Sequence, residues 1–174
     1  TTSVRPEVVD EMIKVLRADF GNPSSTYSVG RHSKALIENA RKTIAKQFNV
    51  SSSEIVFTSC GTEGNNWIIR SAVRDLGVKR IITTKIEHHC TLYSIQQMAK
   101  EYGTEIQYVN ILPNSEIDYN QLEELLKEDV PTLVSLMHVN NEVGTILDLK
   151  RVADLCIANK ALFHLTLLLQ TQVV

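Results

Sequence analysis

The residues best placed for chemistry fall into three short polar motifs, each following an apolar run. Thr58-Ser59-Cys60-Gly61-Thr62-Glu63-Gly64-Asn65-Asn66 joins a predicted strand to a predicted helix. At such a junction the unpaired N–H groups of the first helical turn, backed by the helix dipole, can hold a dianionic phosphate. Gly61 keeps the backbone open there, and the Thr62 hydroxyl adds a donor. Small polar residues in that place also serve as a plain helix cap, and the motif alone does not separate the two uses.

The second motif, Glu87-His88-His89-Cys90, suggests zinc at first sight. Adjacent side chains point in different directions, however, and no second cluster supplies ligands at a spacing such as His-x-x-x-His. His88 at a strand end suits two other tasks, stacking on a planar aromatic ligand or moving a proton near neutral pH. A loop histidine satisfied by backbone groups is the plainer alternative. The third motif, His138-Val139-Asn140-Asn141-Glu142-Val143-Gly144, offers amides to a ring hydroxyl or a carboxylate, or simply makes a turn at its glycine. Convergence favours function, because a parallel sheet would bring the ends of three different strands together.

The elements that must position these motifs alternate. Apolar runs at 54–58, 80–84, 105–111, 132–137 and 161–163 have the length of strands, and 65–76, 92–102, 119–127 and 149–159 have helical spacing. The pattern predicts an α/β fold, with a mostly parallel sheet flanked by helices and ligands at the carboxyl ends of the strands. Asp118 followed by Gln121 has the form of a capping box, and Asp148 stands where the last helix needs its N-cap. Two further helices are expected earlier, one opening near Pro6 with Val9, Met12, Ile13 and Leu16 on a face, the other carrying Ile37, Ala40, Ile44 and Phe48. They read as packing elements, joined through the turn-forming Gly21-Asn22-Pro23-Ser24-Ser25.

At 174 residues, 43% hydrophobic and 22% charged, the chain fits one globular domain. A net charge of −2 with no basic run gives no footprint for nucleic acid or an anionic membrane. No apolar stretch approaches the roughly 20 residues of a membrane span, and the first residues lack a signal-peptide core, so a cytoplasmic location is expected. Cys60, Cys90 and Cys156 are odd in number with no Cys-x-x-Cys pair, which suits reduced thiols.

From Thr1 to His164 the sequence resembles the cysteine desulfurases of the class V aminotransferase family, which are fold type I pyridoxal-phosphate enzymes. Thr1-Thr2 is similar to the end of an Asn-Ala-Thr-Thr opening, and Gly21-Asn22-Pro23-Ser24-Ser25 to the family's early loop. The first motif resembles Thr-Ser-Gly-Ala-Thr-Glu-Ser-Asn-Asn. Glu87-His88 and the very specific His138-Val139-Asn140-Asn141-Glu142-Val143-Gly144 also match. The resemblance implies part of a fold type I large domain, with N-terminal helices at 1–50, a cofactor-binding α/β region at 51–164 and a divergent tail at 165–174. It implies pyridoxal 5'-phosphate as cofactor, with Gly61 and Thr62 at its phosphate, His88 stacked on its ring as the catalytic acid-base group, and Asn141 at its 3-oxygen. Cys60 and Gly61 stand where the family has Gly and Ala. The implied reaction turns L-cysteine into L-alanine and leaves an enzyme persulfide, in a homodimer that passes sulfur to an acceptor protein. A selenocysteine lyase or small-amino-acid aminotransferase, and a non-catalytic dimerisation partner or inert fragment, are the alternatives.

After Phe163-His164 the resemblance calls for a small residue, an Asp that pairs with the protonated pyridine nitrogen, and a Gln three residues later. Thr166 and Leu169 occupy the last two positions. A threonine hydroxyl cannot supply the charge that keeps the ring an electron sink. Neither a lysine in a Ser-x-His-Lys setting nor the persulfide cysteine occurs among these residues, so negligible desulfurase activity is expected of them alone. One account of the tail is a shifted reading frame. If Leu165 is encoded CTG and Thr166 ACN, reading one base earlier yields a Ser or Pro codon followed by GAC, for Asp. An apolar C-terminal strand is the alternative.

Overall fold

The computed structural model describes residues 3–167. They fall into two compact units, one up to Phe57 and one from Thr58 onward.

The first unit holds α1 (Pro6–Ala18) and α2 (Ser28–Phe48), then a short 3-10 turn (Ser52–Glu54). Pro6 opens α1 where its missing N–H costs nothing. Asn49 ends α2 in the left-handed conformation at φ 54°. The expectation of packing elements is only partly met. No residue of α1 is buried, and Val9, Met12, Ile13 and Leu16 are all exposed. The predicted strand at 54–58 does not form. Its backbone finds no neighbouring strand among the described residues, and without a ladder partner its N–H and C=O groups gain nothing from extension.

The second unit is the predicted alternation. α3 (Gly61–Arg74), β1 (Arg80–Thr83), α4 (His89–Tyr102), β2 (Glu105–Tyr108), α5 (Tyr119–Leu126), β3 (Thr132–Met137), α6 (Leu149–Ala158) and β4 (Leu162–Thr166) follow in order. The four strands make one sheet in the order β2-β1-β3-β4, every pair parallel. Period-2 alternation divides the core. Ile81 and Leu133 point to one face and pack with Ile69, Ile95 and Met98 of α3 and α4. Ile82 and Val134 point to the other and pack with Leu122, Leu126, Val152 and Cys156 of α5 and α6.

Several boundaries move for identifiable reasons. β2 stops at Tyr108 instead of reaching Ile111, which makes only an isolated bridge to Ile117. β4 runs past the expected Phe163 to Thr166, in register with Met137. Leu169, which the resemblance contrasts with a glutamine, lies outside the described residues. Asp148 caps α6 as expected, accepting from the Arg151 amide at 3.0 Å. At α5 the capping box is only half made. Asp118 accepts from the Asn120 and Gln121 amides, but the Gln121 side chain accepts from Asn110 N–H instead, because the Asp118 amide already donates to the Asn110 carbonyl.

Candidate cofactor site at the sheet switch point

The strand order reverses once. From β1 the chain crosses to β2 on one side, then returns past β1 to place β3 on the other, so the carboxyl ends of β1 and β3 flank a topological switch point. In open α/β sheets that crevice is where ligands bind. The second and third motifs leave from these two strand ends, and the first enters α3 on the same side of the sheet as α4.

Hydrogen bonds join the motifs. Asn65, buried in α3, donates through Nδ2 to Thr91 Oγ1 at 3.1 Å and Cys90 Sγ at 3.3 Å. Its Oδ1 accepts from the Thr166 hydroxyl at the end of β4. Asn140 Nδ2 donates to the Ile86 carbonyl at 2.7 Å, tying the third motif to the turn before His88. Oδ1 of Asn140 meanwhile accepts from the Glu142 and Val143 amides and shapes the turn that ends at Gly144 with φ 75°. Asn140 is thus the buried, structural member of the pair, and Asn141 is exposed and open to a ligand.

Gly61 and Thr62 occupy the first two positions of α3 and are both exposed. The first-turn N–H groups point out of a helix of 14 residues, the arrangement that suits a phosphate. No side chain caps this helix. Glu63 instead turns back to Ser59, taking its N–H at 2.6 Å and its hydroxyl at 2.7 Å, so the Ser59 amide is already engaged. Those same bonds hold the Glu63 carboxyl below its usual range. The exposed Cys60 thiol is also held low, first by the Glu63 amide and then by the Ser59 hydroxyl.

His88 is the N-cap of α4. Its Nδ1 accepts from the Cys90 amide at 3.2 Å and lies 2.9 Å from Cys90 Sγ. With Nδ1 accepting, the neutral ring carries its proton on Nε2, so one nitrogen is fixed by the protein and the other can serve a ligand. Among the described residues no group of three or more His, Cys, Asp or Glu could hold a metal ion.

Three residues carry more of the geometry than the sequence suggests. Asn65 sits in the buried stripe of α3 with Ile69, Ala72 and Val73, and a polar residue in an apolar stripe is the signal that marks it. Cys90 bridges Asn65 and His88. Glu87, although exposed to only 7%, is charged in type and lies between β1 and β3, with Oε1 accepting from Thr84 Oγ1 at 3.1 Å and Met137 N–H at 3.0 Å.

Pyridoxal phosphate can be tested against these groups. The open α3 start, the Thr62 hydroxyl, the half-buried His88 and the exposed Asn141 match a phosphate, a ring face and a ring oxygen. The pyridine nitrogen is not matched, since Thr166 presents a neutral hydroxyl already given to Asn65.

Comparison with known proteins agrees with the architecture. The aminotransferase class-V family profile matches residues 1–166. The mitochondrial cysteine desulfurase of Saccharomyces cerevisiae is 40% identical over 167 residues, covering 94% of this chain and 33% of its own length. A solved NifS-like protein superposes with a TM-score of 0.88 at 38% identity, over 95% of this chain and 46% of its own. A structure described as SspA in complex with cysteine gives a TM-score of 0.84 at 29% identity, over 95% of this chain and 48% of its own. The chain therefore spans a third to a half of the length of these relatives.

Proposed function

The chain belongs to the aminotransferase class-V family, and from that premise we propose that its second unit is the cofactor-binding part of a pyridoxal-phosphate-dependent cysteine desulfurase. The observation that supports this most directly is the hydrogen-bonded joining of three polar motifs around the carboxyl ends of β1, β3 and β4. The curated and solved relatives named as cysteine desulfurase, NifS-like protein and a cysteine complex point to L-cysteine as the substrate class.

When bound, the cofactor withdraws electrons from the substrate's α-carbon and so eases loss of its proton and sulfur. The chain's own residues do simpler work. The amides at Gly61 and Thr62, with the Thr62 hydroxyl, hold the phosphate against the α3 dipole. His88 would cover one face of the ring and, with Nδ1 held by the Cys90 amide, would present Nε2–H to the ligand as a hydrogen-bond donor. Asn141 donates to the ring oxygen. Alanine and an enzyme persulfide are the products of the parent reaction, and a cytoplasmic homodimer delivering sulfur to an acceptor protein is the setting we assign to it.

Titration with pyridoxal 5'-phosphate, followed by equilibrium dialysis, tests the reading. The 174-residue chain should bind it, with inorganic phosphate competing. His88→Ala and Thr62→Val should each weaken binding about tenfold, the worth of one lost ligand contact. Unchanged affinity in both variants would overturn the assignment.

One observation favours a second reading, a non-catalytic chain: Thr166 in place of a carboxylate. In that case cofactor would bind weakly or not at all, and light scattering on the chain mixed with a full-length relative would show a mixed dimer.

A further inference from the structure

We propose that Glu87 is a positioning residue that locks the His88 turn to the end of β3 and thereby sets His88 and Asn141 in register for one ligand. The inference rests on the cofactor-site reading above and adds to it a residue that touches no ligand. Glu87 directly precedes His88, and its Oε1 receives Met137 N–H, the last amide of β3 before the motif that carries Asn141. Asn140 makes the return connection to the Ile86 carbonyl. Both bonds are donated from the β3 side to the turn before His88, but the side chains reach in opposite directions, Glu87 toward the β3 backbone and Asn140 back toward the Ile86 carbonyl. Together they fix the spacing between the turn at 84–88 and the turn at 138–144, and neither alone would stop the turns from sliding past one another.

The remaining oxygen points to the charge state in which the latch works. Oε2 is buried with no hydrogen-bond partner, and Glu87 lines a cavity of about 30 Å³ with Thr84, Leu136 and Leu147. A bare carboxylate oxygen in that setting has lost its water without replacement. A protonated Oε2 instead offers a hydroxyl to the cavity, which at roughly 10–15 Å³ per site has room for two or three waters. The titratable side chains facing the same cavity are Glu116 and Tyr119; no lysine, arginine or histidine among the described residues lines it. Burial therefore acts on Glu87 unopposed by a cation and pushes its carboxyl up to about 7. Ionisation above neutral pH charges the buried oxygen, and admitting water by loosening the latch relieves that cost.

Amide hydrogen exchange on the full 174-residue chain, read by NMR, tests this through Met137 N–H with Ile82 N–H in the core of β1 as internal reference. Glu87→Ala should accelerate exchange at Met137 at least tenfold relative to Ile82. Glu87→Gln keeps a carbonyl acceptor for Met137 and places an NH2 toward the cavity, so it should restore wild-type protection. Between pH 6 and 8.5 the Met137-to-Ile82 ratio should shift in the wild type and stay flat in Glu87→Gln. Equal loss of protection at both amides in Glu87→Ala, no loss at Met137, or the same pH response in wild type and Glu87→Gln would each overturn the latch. A parallel titration with pyridoxal 5'-phosphate should show Glu87→Ala weakened and Glu87→Gln unaffected. If the wild type binds no cofactor, the functional reading fails, while the exchange measurements still decide whether Glu87 holds the two turns.

Discussion

The Thr166 hydroxyl donates to Asn65 Oδ1 at 3.4 Å, and both side chains are buried. Because Asn65 Nδ2 is spent on Cys90 and Thr91, this contact closes a chain from the end of β4 through α3 to the start of α4. The contact also fixes what the position can do. A hydroxyl that donates to an amide oxygen still has lone pairs for a pyridinium N–H, but it brings no charge to hold the proton there.

Thr166→Asp should therefore have opposite effects with and without ligand. A carboxylate facing Asn65 Oδ1 is a buried charge without a donor, so the cofactor-free chain should lose about 2–3 kcal/mol of stability. Pyridoxal phosphate supplies the missing N–H, and its affinity should rise at least tenfold. Urea unfolding with and without cofactor measures both. Unchanged stability together with unchanged affinity would show that position 166 does not face the ring nitrogen.

At the phosphate end, Gly61 is not required by space. A Cβ built on it meets nothing within 4 Å, and its φ is ordinary for an L-residue. Gly61→Ala should stabilise α3 by about 0.5 kcal/mol, by restricting the unfolded chain, and leave cofactor affinity as it was. A drop in affinity would mean that the phosphate approaches the backbone closer than an alanine allows.

What the sequence makes legible follows from how local the cause is. Asp148 and α6, the span of β3, and the parallel alternation all depend on neighbours within a few residues or on simple periodicity. The failed strand at 54–58 depends on a partner strand, which periodicity cannot report. Gln121 is similar: its spacing from Asp118 is that of a capping box, yet a contact 11 residues away takes its side chain. The candidate site divides the same way. Gly61, Thr62, His88 and Asn141 announce themselves as motif residues, whereas the roles of Asn65 and Glu87 arise from bonds spanning 26 and 50 residues.

In the first unit, Gly30 is required by space. A Cβ there would lie 2.3 Å from the Asn22 carbonyl oxygen and 2.7 Å from Ser25 Cβ, so the turn-forming loop packs directly on the helix backbone. Gly30→Ala should cost about 1–3 kcal/mol by forcing loop and helix apart. Limited proteolysis at 21–25 should accelerate, while the protection of β1 and β3 amides stays constant.

The dependence of stability on pH should be flatter in the wild type than in either of two variants. Burial raises the Glu87 carboxyl from 4.5 to about 7, so its contribution is fully present below about 4.5 and lost as pH rises through 7. Burial lowers the His164 imidazole, whose Nδ1 lies 2.9 Å from Ser135 Oγ, from 6.5 to about 4. Its contribution is present above about 6.5 and lost as pH falls through 4. Between about 4.5 and 6.5 the folded chain binds one proton more at Glu87 and one fewer at His164, and the two slopes cancel. Glu87→Gln removes the first, so stability should then rise by about 3 kcal/mol from pH 4 to 6.5. His164→Asn removes the second, and stability should fall by a similar amount from pH 4.5 to 7. Urea midpoints at half-unit intervals read these slopes; variants that slope in the same direction would show that the two groups do not titrate in opposition.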